Sequence, residues 1–509
     1  MSNRKLLAVK EAPKPEKDLS LLKQSERALL QAVYLNQDSS AEEIKEVLRT
    51  ANSLSVLERR DVLGAISVNS GVPLKELKAD SAKRQPDQLT LAKKIVASMN
   101  KREHIVDPNT NSLWCWDRSH WRELSDTYLE SDVQELLPLY SDRVTNSDVT
   151  SVAKLIKREL YKIDHCWNQG GQDAINVLNG ELHLKTNRWQ LSPHNPQSYY
   201  QSVVPIEYDR AATAPRFQQF LTEVFDGDDD AQEKAQCVLE MLGYTLVAHC
   251  KYEAFIVLIG QGANGKSVLL DLLRQMLGNA FSAVQPIQFN NKFQRAGMQG
   301  KLANIVSELP QGGMLPDDVV KAMVSGESVT VERKNQDPFE YNPFATLWFG
   351  TNHMPHTRDH SEGVFRRGRI LQFNNCFDGS NRDPNLTDKL FSERAGILNL
   401  ALDAYAQVVT NGRVIDPPSS LAAKQMWSYN SDQIAQFISE EVVVEAGARI
   451  RRSTLYERYR GWTYAAGITK PYGKNQFFQR IREKRFKEVK SSGEFYFEGI
   501  KPNIVSVSL

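Results

Sequence analysis

Residues 260–267 read Gly-Gln-Gly-Ala-Asn-Gly-Lys-Ser, the pattern G-x-x-x-x-G-K-[ST], set between the apolar run Phe255-Ile256-Val257-Leu258-Ile259 and the helix-patterned Val268-Leu269-Leu270-Asp271-Leu272-Leu273. A strand, a glycine turn and a helix in that order place this stretch in an α/β core. The three glycines let successive backbone N–H groups converge on a polyphosphate, and the helix N-terminus adds the positive end of its dipole. Lys266 is expected against the β/γ phosphates and Ser267 at a Mg²⁺ ligand position. A simple turn would need neither the lysine nor the hydroxyl. The expected nucleotide contacts are therefore Gly260, Gly262, Ala263, Asn264, Gly265, Lys266, Ser267 and Val268, with ATP and Mg²⁺ as cofactors.

A chain of 509 residues exceeds a single core and predicts about three or four domains. With 25% charged and 41% hydrophobic residues it has an ordinary globular composition. The net charge of +1 conceals an acidic segment, Asp226-Gly227-Asp228-Asp229-Asp230, and an Arg/Lys-rich one from Arg449 to Lys490. No apolar stretch approaches the ~18–20 residues of a membrane span and no signal-peptide core follows Met1, so a cytoplasmic location without membrane partners is expected. The five cysteines contain no C-x-x-C pair, which points to reduced thiols.

Along the chain, Leu21 to Leu77 is helical in pattern, and residues 62–77 read as a helix, a glycine turn and a second helix. A plain helical hairpin is favoured over a DNA-reading helix-turn-helix because no basic face marks the second helix. Leu113 to Trp121 alternates as a hairpin does, and Ile175 to Leu184 supplies two strands about Asn179-Gly180. The aromatics Trp114, Trp116, Trp121, Tyr128 and Trp167 offer either core packing, the commoner use, or platforms for single-stranded bases. Pro215 to Val247 is helical again.

Beyond the phosphate loop, Lys301 to Glu308 reads as a buried strand ending in a carboxylate, and an acid there can polarise water and help hold a metal. Glu308 is the candidate catalytic base. Two strands around residues 329–341 carry Arg333 and Lys334 near their turn, a hairpin able to present cations to DNA, although such tips are often only solvated. The strand Ala345 to Gly350 ends in Thr351-Asn352, whose neutral amide can orient water or touch a γ-phosphate. Arg366 and Arg367 precede a further strand, and either can act as a finger from a neighbouring subunit. His353, His356 and His360 complete no metal-ligand spacing.

Taken in order, the loop 260–267, Glu308, Lys321 to Glu327, Gly350-Thr351-Asn352 and Phe365-Arg366-Arg367 closely resemble the superfamily 3 helicase core of phage, plasmid and poxvirus primase-helicases. Asn179 to Leu182, Pro205 to Asp209 and Leu242 to Tyr244 resemble the region preceding that core. Leu455 to Trp462 and Phe477-Phe478 are similar to the small winged-helix domain that follows it. The resemblance implies a P-loop AAA+ ATPase that forms a hexameric ring and moves along one DNA strand with 3′ to 5′ polarity, unwinding DNA for replication of a mobile element. It gives Lys266 and Ser267 to nucleotide and Mg²⁺, Glu308 to water and metal, Asn352 to the γ-phosphate, Arg366 or Arg367 to the finger in trans, and Lys334 to the DNA-tracking hairpin. One departure is Ser307 before Glu308, where many relatives in the wider superfamily have a second acid.

The expected domains are a helical region of unknown role over 1–88, a mixed α/β domain over 89–214, the ATPase core over 215–415 and a basic winged-helix-like domain over 430–509. Fewer than about 90 residues precede the resemblance, less than a primase domain needs, so a separate primase is the expected partner beside single-stranded and forked DNA. The C-terminal cations interleave with Tyr456, Tyr459, Trp462 and Phe477, as in a DNA contact, though a solvated basic surface reads similarly. An ATP-regulated DNA-binding initiator without processive unwinding is the competing function. A guanine-specific switch is disfavoured because Asn291-Lys292-Phe293-Gln294 lacks the aspartate of N-K-x-D.

Overall fold

A computed structural model describes residues 23–82, 86–99, 103–141, 144–163, 165–310, 314–334, 336–357, 362–378, 383–466, 468 and 471–503. These form two compact units, one from the described residues of Met1–Leu113 and Glu123–Ile163, the other from those of Trp114–Arg122 and Asp164–Leu509. The division cuts through the expected 89–214 domain. Its physical basis is the strand pair at 175–182 and the segment at 204–206, whose Ile175, Leu182, Val204 and Ile206 are buried in the same cluster as Phe217, Leu258 and Leu269.

The first unit is mainly helical. Gln24–Val33, Ala41–Ala51, Val56–Ser70 and Leu74–Ala82 close around Ala28, Val47, Leu63, Ile66 and Leu77. Ser40 with Glu43 and Ser55 with Glu58 form capping boxes that satisfy the first N–H groups of their helices. Gly71, at φ 75°, ends the third helix in the left-handed region and allows the turn into the fourth. A second cluster joins Gln88–Ser98, Asp126–Leu136 and Asn146–Leu160 through Ile95, Val133, Val152 and Ile156.

The second unit centres on five parallel strands: β1 (Phe255–Ile259), β2 (Phe281–Ser282), β3 (Ala303–Val306), β4 (Thr346–Thr351) and β5 (Gly368–Gln372), in the order β5-β1-β4-β3-β2. Near-continuous apolar runs are what a parallel sheet covered on both faces demands. The period of two then sorts the side chains. Ile256, Leu258, Trp348 and Leu371 enter one core, while Phe255, Val257, Phe349 and Ile370 enter another with Met323 and Trp427.

On the first face the helices Ala231–Thr245 and Arg394–Asn411 pack closely. A Cβ at Gly243 would lie 2.2 Å from the Ala401 carbonyl oxygen and 2.7 Å from Tyr405 Cβ. Gly243→Ala is expected to destabilise the protein by ~1–3 kcal/mol or more, read as a lowered thermal midpoint, because backbone cannot step aside as a side-chain tip can. An unchanged midpoint would contradict this packing.

Two antiparallel sheets flank the core in sequence. Ala174–Val177, Gly180–Lys185 and Arg188–Ser192 form one meander. At the other end, Gln433–Glu441, Arg452–Ala465 and Lys474–Glu483 pack with the strands Val442–Arg451, Glu488–Ser491 and Glu494–Pro502 around Phe437, Tyr459, Phe477 and Phe497. Trp114 and Trp121 are buried, and Trp114 packs at a tilt against Trp167 with ring centroids 4.4 Å apart, so packing accounts for both. Tyr128, in the first unit, is exposed. No helix among the described residues is long and apolar enough to cross a membrane.

Candidate active site

The phosphate-loop sequence runs from the carboxyl end of β1 into the helix Lys266–Leu277, with Gly262 at φ 109°, Ala263 at 46° and Gly265 at 90°. Two glycines are required by contact, and Gly265 by conformation as well. A Cβ at Gly260 would meet Asn264 Nδ2 at 2.0 Å and the Phe373 carbonyl oxygen at 2.6 Å, and one at Gly265 would meet Val224 Cγ1 at 2.7 Å. The loop is fixed from outside itself: the Phe377 N–H donates to the Ala263 oxygen (2.6 Å) and the buried Asn264 amide donates to Phe373 (3.3 Å).

Lys266 is buried over this loop. Its Nζ donates to the Gly260 oxygen at 2.5 Å and to Asn264 Oδ1 at 3.0 Å. Burial pulls its pKa below the usual lysine value, and the negative charge of Glu308 opposes that shift. The two side chains, from different strands' ends, therefore act on one electrostatic environment.

Lys266, Ser267, Glu308 and Asn352 line a single cavity of about 620 Å³ together with Gly262, Ala263, Asn264, Gly265 and Val268. The strand order explains the convergence. Because β4 lies between β1 and β3, Asn352 is delivered between Lys266 and Glu308, and β1 and β3 stand two strand spacings apart, about 10 Å. The end of β4 is held by close backbone approach: a Cβ at Gly350 would lie 2.3 Å from the Ser307 oxygen, and the Gly350 oxygen accepts from the Leu309 N–H at 2.9 Å.

Ser267 and Glu308 supply hard oxygen donors on one cavity, the chemistry Mg²⁺ selects. Ser307 is engaged elsewhere, since its Oγ accepts from Arg274 Nη2 at 2.5 Å and Arg274 in turn pairs with Asp271 at 2.6 Å. Asp271 also lines the cavity, with its carboxylate paired to Arg274.

Arg366 and Arg367 do not join this cavity. They precede Gly368, which pairs with Phe255 at the amino end of β1, whereas the loop 260–267 leaves its carboxyl end, about 13 Å of strand away. Arg367 is committed within its own chain, to Gly363 (2.7 Å), Ser325 (3.0 Å) and Glu253 (2.6 Å). Arg366 is exposed, with a looser Glu253 approach of 3.8 Å.

The two expected strands, Val329–Val331 and Phe339–Tyr341, pair antiparallel with Val329 opposite Tyr341. Its two cations differ: Arg333 turns back to Gln299 (2.8 Å) and over the Phe339 ring, while Lys334 is exposed at the tip. His360 lies outside the described residues. Many C-terminal cations are also paired, Arg452 and Arg482 with Glu488 and Lys484 with Asp432.

Sequence reasoning missed other residues that line the cavity, Arg216, Phe220, Glu223, Phe377, Asp383, Pro384, Leu386 and Thr387. No local motif marks them, because they arrive from segments separated by more than a hundred residues and meet only through the fold.

Three family profiles match this chain in succession: one described as D5 N terminal like over residues 92–226, a family of unknown function (DUF5906) over 258–367, and one described as Poxvirus D5 protein-like over 430–503. A putative helicase of Acanthamoeba polyphaga mimivirus, L207/L206, is 22% identical over 252 residues, a match covering 44% of this chain and 26% of the relative. The chain thus corresponds to about a quarter of that relative's length. Apo structures of the C-terminal region of NrS-1 align with a TM-score of 0.47 and 11% identity over 82% of this chain and 100% of that one. With D5-type sequence on both sides of the strand-and-loop core and a helicase-named viral relative, these matches support membership in the D5-like primase-helicase family of phages and poxviruses.

Proposed function

We propose that the chain is an ATP-driven DNA helicase of the superfamily 3, AAA+ type, acting in replication as a homo-oligomeric ring, with a hexamer and 3′ to 5′ movement as the resemblance implies. The observation that carries this reading is the separation of parts. Lys266, Ser267, Glu308 and Asn352 face one cavity, whereas the exposed Arg366 lies at the far end of the same sheet. Such an arrangement makes chemical sense when a second subunit brings its own Arg366 to the cavity of the first.

In this reading the loop N–H groups and Lys266 hold the β and γ phosphates, Glu308 orients the attacking water, and Asn352 aligns it without adding charge. Bound through Ser267 and Glu308, Mg²⁺ would offset phosphate charge. The strained loop and the Gly350 approach hold these groups in place beforehand, so little reorganisation is left for the reaction. DNA is the substrate that turnover moves, with Lys334 at the hairpin tip as its contact, Arg333 as the support that fixes the tip, and the C-terminal winged-helix-like region as a further contact. A primase is the proposed partner activity.

Strand displacement on a forked duplex, with ATP and Mg²⁺, tests the function. Displacement that depends on hydrolysis supports it; DNA binding controlled by ATP with no displacement would instead identify an initiator. Lys334→Ala is expected to lower unwinding by at least tenfold more than it lowers DNA-free hydrolysis. Equal losses in the two assays would remove the hairpin from the DNA path.

A further inference from the structure

The helix Asn146–Leu160 buries one face, Val149, Val152, Ala153, Ile156 and Leu160. Lys154, Lys157, Arg158 and Tyr161 follow one another at spacings of three or four residues, so they share a different face of the helix and its C-terminal end. Together with Asn111 they line a cavity of about 390 Å³, and no Asp or Glu among the described residues lines it. These residues belong to the first unit, whereas Lys266, Glu308 and Asn352 belong to the second.

The three cations are not equivalent. Lys157 is committed to its own chain, pairing with Asp126 and donating from Nζ to the Asn111 oxygen at 2.9 Å. Lys154 and Arg158 are exposed, and their side chains bond to no other described residue. This sets them apart from the C-terminal cations that Glu488 and Asp432 neutralise. The helix dipole draws cations to a last turn, yet Lys154 stands a turn earlier and Tyr161 adds an aromatic ring. Tyr161 is 46% exposed although its backbone bridges to the fully buried Val106, so the ring is presented from a fixed point. From Lys154 to Tyr161 is about 10 Å of helix rise, the length of about three phosphates in a strand advancing ~3.4 Å per nucleotide. Free cations beside an exposed ring are what a single strand selects, charge for its phosphates and a π-face for any base.

We infer that this cavity is a sequence-independent contact for a polynucleotide single strand, with Lys154 and Arg158 holding phosphates and Tyr161 stacking on a base. It goes beyond the function proposed above, which puts DNA on the hairpin tip and the C-terminal region, and it does not depend on the nucleotide cavity.

Binding of fluorescent oligo-dT and oligo-rU to the full chain, without nucleotide and over a range of salt concentrations, tests this. Each phosphate contact on a single strand contributes ~0.7 to the slope of log K against log salt, so the double variant Lys154→Ala/Arg158→Ala should bind more weakly with a slope flatter by about 1.4. Tyr161→Ala should weaken binding by roughly 5–150-fold, the range for one stacked base, and leave the slope unchanged. Whichever polymer depends on Tyr161 is the source of the strand. Unchanged thermal midpoints certify that both variants are folded. An unchanged slope in the double variant, or unchanged affinity of Tyr161→Ala for both polymers, would overturn the inference. So would a loss of polyglutamate binding in Tyr161→Ala as large as the loss of oligonucleotide, which would make the site a dock for acidic polypeptide. Because no ATP is present, the inference can fail while strand displacement by the unaltered chain stands.

Discussion

Lys266→Ala is expected to reduce ATP hydrolysis by at least about 10²–10³-fold, the cost of removing one preorganised charge from a developing anion. The side chain is buried, its ammonium is directed by Gly260 and Asn264, and it shares the cavity with Glu308. Alanine leaves the loop conformation to its glycines, so the loss should appear in turnover with the fold intact. Steady-state phosphate release, beside an unchanged thermal midpoint, checks this. Near-normal turnover would show that hydrolysis occurs elsewhere.

Arg366→Ala should lower turnover by about 10³-fold or more in the assembled protein, the scale of an arginine finger. Because Arg366 stands at the opposite end of β1 from the loop of its own chain, the defect should lie in the neighbour's cavity. Mixing Arg366→Ala with Lys266→Ala protein therefore creates some interfaces that hold an intact cavity and an intact arginine, and partial activity should return. Arg367→Ala mixed in the same way should give a different result, since Arg367 holds Ser325, Gly363 and Glu253 within its chain and its loss acts on local structure. No recovery in the Arg366 mixture would place the arginine's action within one chain.

The parts of this design that were legible in sequence are those encoded locally. The apolar runs at 255–259, 303–306 and 346–351 announce buried strands, and each ends at the residue that chemistry singles out. The glycines of the loop carry their backbone demands in the sequence. What could not be read is long-range. Nothing in the order of residues says that β4 is inserted between β1 and β3, which brings Asn352 between Lys266 and Glu308. Nor does the sequence distinguish Arg366 from Arg367, a difference made by Ser325 and Glu253 from other segments, or Lys334 from Arg333, whose guanidinium is captured by Gln299 and Phe339. Residues 89–214 read as one domain because their periodicity is uniformly mixed. Burial of Ile175, Leu182 and Ile206 with Phe217 and Leu258 instead attaches their second half to the core. Arg216 and Phe377 carry no motif at all.

The most direct measurement is the rate of ATP hydrolysis by the purified chain with and without single-stranded DNA. Coupling of the cavity to strand movement predicts a several-fold acceleration that Lys266→Ala abolishes. A rate that DNA leaves unchanged, at concentrations where DNA is bound, would contradict it.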